Sequence, residues 1–590
     1  MAGSVSTARR FSLGFFFVGC VLAAGGAFGN AYLVSFALTV LISFVLAQSW
    51  DWVGGEMGYI NLGHFAFYGI GAYSFCILLT HGVGLALSFA SSIVVPALFA
   101  AILSFPIFRL KGDYFAFATL AIVPLFELLA NNLSGLTNGS DGIVLPAVYV
   151  LTPAFFMAAI LALVSVITTV LLTSSRFGYA LKGIRNDEQV AEIVGIQLFP
   201  TKLRVFALSA SFAGIAGAIQ AWQLSFIDPV AVFGLGLALV PIAMALLGGS
   251  GLLWGPLVGV VLLACAQQWL LTNINMLQAT VYGVAILLIG RFLPGGLLRA
   301  KTLKRLPILA NLGQEHHARI VRPPSIGIEG APLPITPLSI NREKVILECR
   351  DAMLAFDGLV AVNRINLQVR QGEIIGLVGP NGSGKTSLFN LISRVYTFTA
   401  GEIIFNGVSL SGLRRDKISR IGIGRTFQIP RPFADLTVAE NIAMALMFRT
   451  EGLALPEALA EAANFAAFTG LADRLDVRAD ALRLQEKKAL ELTRALACRP
   501  KLLLVDEVAS GLTTVEVKRF VQHIRELRDR YGITIIWVEH IFAALAQVVD
   551  RLVVLDQGSV IADGPLEVVM RDKRVLEVYL GTSAGTEAAR

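Results

Sequence analysis

Only nine of the 48 lysines and arginines in this 590-residue chain stand before Arg291: Arg9, Arg10, Arg109, Lys111, Arg176, Lys182, Arg185, Lys202 and Arg204. Soluble domains carry ~25% charged residues, so a stretch that poor in cations has to find its solvent in a bilayer. Apolar runs lie near residues 11–28, 31–47, 59–79, 85–108, 114–133, 152–174, 205–226, 233–250, 252–271 and 279–291. Each is near the ~20 residues that cross a membrane. With a cytoplasmic N-terminus, ten spans put all nine cations on inner loops or flanks. The outer loops near His81, Ser134–Thr152, Asp228 and Asn273 then hold none, a positive-inside pattern. Counts of eight or twelve keep the same parity. The first run follows Arg9-Arg10 and ends in Ala23-Ala24-Gly25-Gly26-Ala27, as a signal peptide does. It leads straight into the next apolar segment, which favours an uncleaved first span.

Glycine is dense in this half, at Gly54-Gly55, Gly58, Gly63, Gly69, Gly71 and Gly248-Gly249. Small residues let membrane helices approach closely; the alternative is glycine-broken helices lining a solute path. Glu127 and His64 read as the ionisable residues most embedded in spans, either with a role in transport or paired with a neighbour. The inner loop Ser175–Lys202 is polar in an apolar setting, and Asp187–Val194 has the pattern of a short amphipathic helix. It is the candidate element for coupling to a cytoplasmic partner.

The second half holds the remaining cations and a different chemistry. The apolar run Ile374-Ile375-Gly376-Leu377-Val378 leads into Gly379-Pro380-Asn381-Gly382-Ser383-Gly384-Lys385-Thr386, and Ser387–Ile392 reads as a helix. Strand, glycine turn and helix N-terminus form a phosphate cradle: backbone N–H groups and the helix dipole face the anion. Lys385 would reach the β- and γ-phosphates of a nucleotide, with Thr386 on Mg²⁺. Gln428, in Thr426-Phe427-Gln428, is placed to contact Mg²⁺ and the attacking water. Leu502-Leu503-Leu504-Val505-Asp506-Glu507 is a buried strand ending in two carboxylates. Asp506 would hold the metal's water shell, and Glu507 would act as general base. Ile533–Val538 is another β-rich run, ending at Glu539-His540, where His540 would meet the γ-phosphate. Phe356 would stack on the adenine. Leu306–Val345, with Pro307, Pro323, Pro324, Pro332, Pro334 and Pro337, reads as an extended tether. His316-His317 within it reads as solvated.

In this order and spacing, residues 344–583 resemble the ATPase domain of ABC transporters. FDGLVAVN at 356–363, GRTFQ at 424–428 and VYLG at 578–581 narrow the resemblance to the branched-chain amino acid uptake family. GYINLGHFAFYGIGAY at 58–73, RLKGDY at 109–114 and GYALKGIRNDE at 178–188 resemble that family's permease. The resemblance implies a multi-domain chain with a polytopic α-helical membrane domain of about ten spans followed by an α/β P-loop ABC ATPase domain. The expected boundaries are 1–300 for the permease, 301–343 for the linker, 344–583 for the ATPase and 584–590 for the tail. It implies ATP and Mg²⁺, with residues 379–387 and Phe356 on the nucleotide. A second permease and a second ATPase subunit, and an extracytoplasmic solute-binding protein, would be its partners in a bacterial inner membrane. The chain departs from the family at its signature. Leu-Ser-Gly-Gly-Gln is usual there, whereas this chain has Leu482-Arg483-Leu484-Gln485-Glu486; Thr513, in Ser510-Gly511-Leu512-Thr513, replaces an expected Asp or Asn. ABC ATPases pair head to tail, so a homodimer would carry the defect twice and a heteromeric partner is expected.

Three functions follow in order: import of leucine, isoleucine or valine; import of urea, short amides or aromatic or dicarboxylic acids on the same architecture; a nucleotide-gated regulator or channel with little turnover. The net charge of +7 belongs to inner loops beside anionic lipid rather than to nucleic-acid binding. Cys20, Cys76, Cys265, Cys349 and Cys498 form no C-x-x-C pair, so free thiols and no metal site are expected.

Overall fold

A computed structural model describes residues 30–273 except 147, residues 284, 291 and 295–299, and residues 332–580 except 357 and 541. The run near 11–28, nearly all of that near 279–291, His316-His317 and the tail 584–590 lie outside the described residues. The chain forms two compact units, Met1–Arg185 with Leu198–His316, and Asn186–Gln197 with His317–Arg590.

The first unit is helical: α1 (Ala31–Asp51), α2 (His64–Thr80), α3 (Leu85–Ile107), α4 (Asp113–Leu120), α5 (Ile122–Asn132), α6 (Leu151–Thr173) and most of α7 (Arg176–Asn186). After α8 (Glu188–Val194), which belongs to the second unit, come α9 (Leu198–Leu224), α10 (Pro229–Phe233), α11 (Leu235–Ala238), α12 (Val240–Gly248) and α13 (Gly255–Asn273). A two-residue ribbon pairs β1 (Ile143–Val144) with β2 (Phe226–Ile227). Six stretches among the described residues are long and apolar enough to cross a membrane: 31–56, 85–107, 113–132, 151–173, 198–224 and 229–248. α2 and Gly255–Trp269 are shorter apolar helices. The count of ten is not confirmed among the described residues. Two of the ten runs fall almost wholly outside those residues, and two others form α2, of 17 residues, and α13, of 19. Within 229–248 the helix is interrupted at Gly234, whose backbone is extended (φ −56°, ψ 123°).

α2 and α9 cross backbone to backbone. A methyl group on Gly71 would lie 2.3 Å from the Gly214 Cα, and one on Gly217 would lie 2.1 Å from the Tyr68 carbonyl oxygen. These glycines serve helix packing. The buried His64 is paired: its ring nitrogens lie 3.1 Å from Ser49 Oγ and 3.3 Å from Ser209 Oγ. Glu127 is partly exposed on α5 and is not the most embedded carboxylate. That place belongs to Asp51 and Glu56, which are 2% and 4% exposed. Both lie beyond the apolar run 31–47, where α1 continues as a π-helical turn over Trp52–Glu56. There Asp51 accepts the Gly251 N–H on both oxygens (2.9 and 3.0 Å), and Arg185 Nη1 donates to the Gly55 carbonyl at 2.8 Å. The polar insertion 175–202 is mostly helix. Lys202 lies within α9, not in a solvated loop; its ammonium donates to Tyr59 Oη at 2.6 Å and lies 4.5 Å from that ring's centroid.

The second unit is α/β. A six-stranded sheet has the order β12-β11-β5-β10-β9-β8, comprising Ser559–Gly564, Arg551–Asp556, Ile374–Val378, Thr534–Val538, Leu502–Asp506 and Ile423–Arg425. β5, β9 and β10 are buried throughout, as strands covered on both faces must be, and they read as continuous apolar runs for that reason. A four-stranded antiparallel sheet has the order β4-β3-β6-β7, from Leu359–Arg370, Val345–Phe356, Ala400–Phe405 and Val408–Ser409. From residue 332 the tether lies against this unit: Leu333 N–H donates to Tyr531 Oη at 2.7 Å and Leu338 N–H to the Tyr531 carbonyl at 3.0 Å.

Overpacking the α2–α9 crossing leaves the side chain nowhere to go, because the obstacle is backbone. Gly217→Val is expected to remove the monodisperse peak in detergent gel filtration. Gly236→Val, where an added methyl meets nothing within 4 Å, is expected to keep it.

Candidate functional site: a phosphate loop at the carboxyl edge of the sheet

Parallel pairing sets the site. Val538 is in register with Asp506 on one side and with Leu377 on the other. The ends of β5, β10 and β9 therefore open on one edge, where ligands sit in open α/β sheets. β5 leads into the loop 379–384, and α14 (Lys385–Ile392) begins directly after it. Gly384 has φ +101°, and a Cβ there would lie 2.5 Å from the Ala361 carbonyl oxygen, so glycine is required to start this helix. Lys385 Nζ donates to the Gly379 and Pro380 carbonyls at 2.8 and 2.9 Å, which folds the cation over the loop. Burial lowers its pKa, while Glu507 and Asp506 oppose that shift. Asn381, Gly382 and Thr386 are exposed, Ser383 is buried, and Ser387 is half-buried in the first helical turn.

Glu507 follows β9 in a left-handed conformation, φ +44°, which is uncommon for a residue with a side chain and recurs at functional sites. Its N–H donates to the Val538 carbonyl at 2.9 Å. One carboxylate oxygen lies 2.8 Å from His540 Nε2, and the other accepts from Gln428 Nε2 at 2.6 Å. Three residues widely spaced in the chain thus meet on one carboxylate. Asp506 is 1% exposed. Burial raises its pKa, and Arg425, 3.6 Å from Oδ2, opposes that. Among the described residues, Asp506 Oδ1 is buried without a hydrogen-bond partner. An orphaned carboxylate oxygen is rare in a protein interior, and it fits a hydrated cation at this edge, with the exposed Thr386 hydroxyl as a further oxygen donor. Gln428 can ligate only through its amide oxygen, since the nitrogen donates to Glu507. Phe356 stands on the other sheet, at the end of β3, exposed, with its ring edge-on to the exposed Tyr396 at 5.1 Å.

The structure adds three groups that motif reading passed over. The Arg425 guanidinium is buried against Asp506, and its pKa is lowered to about 10, chiefly by burial. The Glu539 carboxyl, 2% exposed, accepts the Ala509 N–H at 2.6 Å and holds the turn after Glu507; burial raises its pKa. Lys488 donates to the carbonyls of Val508 (2.9 Å) and Ser510. Arg425 stands in GRTFQ and Glu539 directly before His540, so a search for charges beside the motif residues would have found both.

The altered signature opens α15 (Leu484–Ala497). Glu486 accepts the Arg483 N–H at 2.8 Å and pairs with Arg474 at 3.0 Å, so the segment supplies a one-sided helix cap. Thr513 caps α16 (Thr514–Asp529), and Glu516 returns the bond to its N–H at 2.7 Å.

Helix α8 lies within this unit. Asp187 caps it, accepting from Gln189 N and Val190 N. Arg431 lies 3.5 Å from Asp187 and donates to Gln189 Oε1 at 3.2 Å; Arg415 pairs with Glu192 at 3.3 Å, and Arg420 donates to the Gly195 carbonyl at 2.9 Å. Val190, Ile193 and Val194 share a small cavity with Ile423, Gly424, Arg425, Phe427, Arg494 and Cys498.

Residues 32–290 match the permease component family of branched-chain amino acid transport systems, and residues 362–510 match the ABC transporter family. The high-affinity branched-chain amino acid transport ATP-binding protein LivG of Escherichia coli (strain K12) is 34% identical over 249 residues, 40% of this chain and 98% of that protein. BraF of Pseudomonas aeruginosa, which carries the same description, is 33% identical over 249 residues, again 40% of this chain and 98% of that protein. A nucleotide-free ATP-binding cassette from an ABC transporter, known from its crystal structure, is 27% identical with a TM-score of 0.37, over 40% of this chain and 99% of that one. Permease and ATPase matches on one sequence, above a phosphate loop and a carboxylate held by Gln428 and His540, lead to one conclusion: this chain belongs to the branched-chain amino acid family of ABC transporters, with permease and ATP-binding parts together.

Proposed function

We propose that the chain is the permease and motor of an ATP-driven importer of leucine, isoleucine or valine in a bacterial inner membrane, its N-terminus and ATPase cytoplasmic. The observation that carries this is the Glu507 carboxylate, gripped by Gln428 and His540 at the edge where the phosphate loop opens. In this reading residues 379–387, through their N–H groups other than at Pro380, and the Lys385 ammonium bind the phosphates, and Phe356 stacks on adenine. Thr386, Gln428 and Asp506 would hold Mg²⁺, which, when bound, offsets the phosphate charge. Glu507 takes the proton of the attacking water. The oxygen–phosphorus bond forms as the β,γ-bridge breaks, and ADP and phosphate leave. His540 holds Glu507 in place and meets the γ-phosphate.

Helix α8 is the proposed coupling element. Its cap, three arginine contacts and an apolar face seat it on the ATPase fold. The solute would arrive on an extracytoplasmic binding protein. The ATPase would work head to tail with a second, different subunit, because Arg483, Leu484 and Gln485 lack the small polar groups that reach across to a γ-phosphate. Urea, short amides and aromatic or dicarboxylic acids are the alternative cargo. The Glu486 cap favours one other function, a nucleotide-gated regulator with little turnover.

Glu507→Gln separates the two. It is expected to cut hydrolysis by at least ~100-fold with ATP binding retained, and to abolish accumulation of labelled leucine in cells lacking their own system. Uptake that survives the substitution would establish the regulator, and competition by unlabelled urea or benzoate would move the cargo to the alternative class. Lys385→Met removes a charge-assisted contact to phosphate and is expected to weaken ATP about 10- to 100-fold, measured by equilibrium binding to the purified chain.

A further inference from the structure

Arg425 ends β8 with its guanidinium 5% exposed. Nη1 donates to Asn390 Oδ1 and to Ser393 Oγ, both at 2.7 Å, at the far end of α14, the helix that the phosphate loop opens. Nη2 faces Asp506 Oδ2 at 3.6 Å. The rings of Phe389 and Phe427 flank it, with centroids 5.9 and 5.2 Å from the guanidinium carbon. Nε is buried without a hydrogen-bond partner among the described residues. Ile423, Gly424, Arg425 and Phe427 also line a small cavity together with Val190, Ile193 and Val194 of α8. One side chain therefore bridges the phosphate-loop helix and the strand-end carboxylate, from a strand that faces the 188–194 helix across that cavity.

We propose that Arg425 is a positioning residue: it ties the seating of the 188–194 helix to the placement of Asp506 and of the phosphate-loop helix. A planar fork is needed for this. Lysine carries the charge but cannot hold Asn390, Ser393 and Asp506 at once. This rests on the proposal that α8 is the coupling element and that Asp506 serves the metal-bound nucleotide.

The test uses the full-length chain in lipid nanodiscs, with ATP as the probe. Arg425→Lys is expected to raise the ATP Kd about ten-fold in Mg²⁺ and less than about two-fold in EDTA, with the thermal unfolding midpoint preserved. A fold defect alone would weaken both equally, and that result overturns the proposal. A double-mutant cycle for kcat with Ile193→Ala tests the tie to α8. Coupling predicts that the double variant is no slower than Arg425→Lys; effects that simply multiply overturn it. Should Arg425→Lys fail to fold, Ser393→Ala keeps the guanidinium and removes one partner, and the same Mg²⁺-selective loss, about three-fold, is expected; equal Kd values for that variant and the wild type overturn the proposal. Should wild type and Glu507→Gln hydrolyse ATP alike, the hydrolytic mechanism falls, while the Mg²⁺-against-EDTA comparison still decides the role of Arg425.

Discussion

Asp506 closes a strand that is buried along its whole length, and a carboxylate in that position is tolerable only because a guanidinium stands beside it. An isolated buried ion costs several kcal/mol, so Arg425 has to be there, and its own charge then has to be satisfied. Asn390 and Ser393 do that from the helix that starts at Lys385. The loop 379–384, the Asp506 carboxylate and the strand leading to Gln428 are thereby bound by the electrostatics of one ion pair. Glu507, one residue further on, escapes the strand geometry by turning left-handed, which presents its carboxylate to His540 and Gln428 instead of to the sheet.

The membrane part solves the same problem with backbone groups. Asp51 is answered by the Gly251 N–H, and Arg185 by the Gly55 carbonyl. Both partners are glycines, where no side chain blocks the approach. His64 is answered by two serines. Polar groups buried in this way need partners close at hand, because an unpaired one is costly. The glycine-rich composition of the permease half is what makes such approaches possible, at the α2–α9 crossing as much as around Asp51.

The altered signature shows a motif position turned to another use. Where a serine would ordinarily cap the helix, Arg483 has no acceptor to offer, and Glu486 supplies the bond in return, steadied by Arg474. Thr513 likewise serves as an N-cap. Helix formation is preserved at both places. The phosphate-facing groups are not, which is the physical basis for proposing a different partner subunit.

Class and order of the two parts were legible from residue pattern alone. Bilayer crossing is a matter of local apolar length, and a phosphate loop is a local strand–turn–helix event, so the charge partition before Arg291 and the run 374–392 determined both. The same holds for the strand ending in Asp506-Glu507. Local pattern did not reach the embedded carboxylates Asp51 and Glu56, which lie just past an apolar run and are buried by a π-helical turn. It misread Lys202 as loop because α9 begins about two turns before its apolar segment. It passed over Arg425, Glu539 and Lys488, whose partners are far away in the chain. Which residues meet on the Glu507 carboxylate, what neutralises Asp506 and where 188–194 packs depend on the register of parallel strands and on pairings far apart in sequence. Only the tertiary structure decided those, because burial and long-range hydrogen bonding have no local period to read.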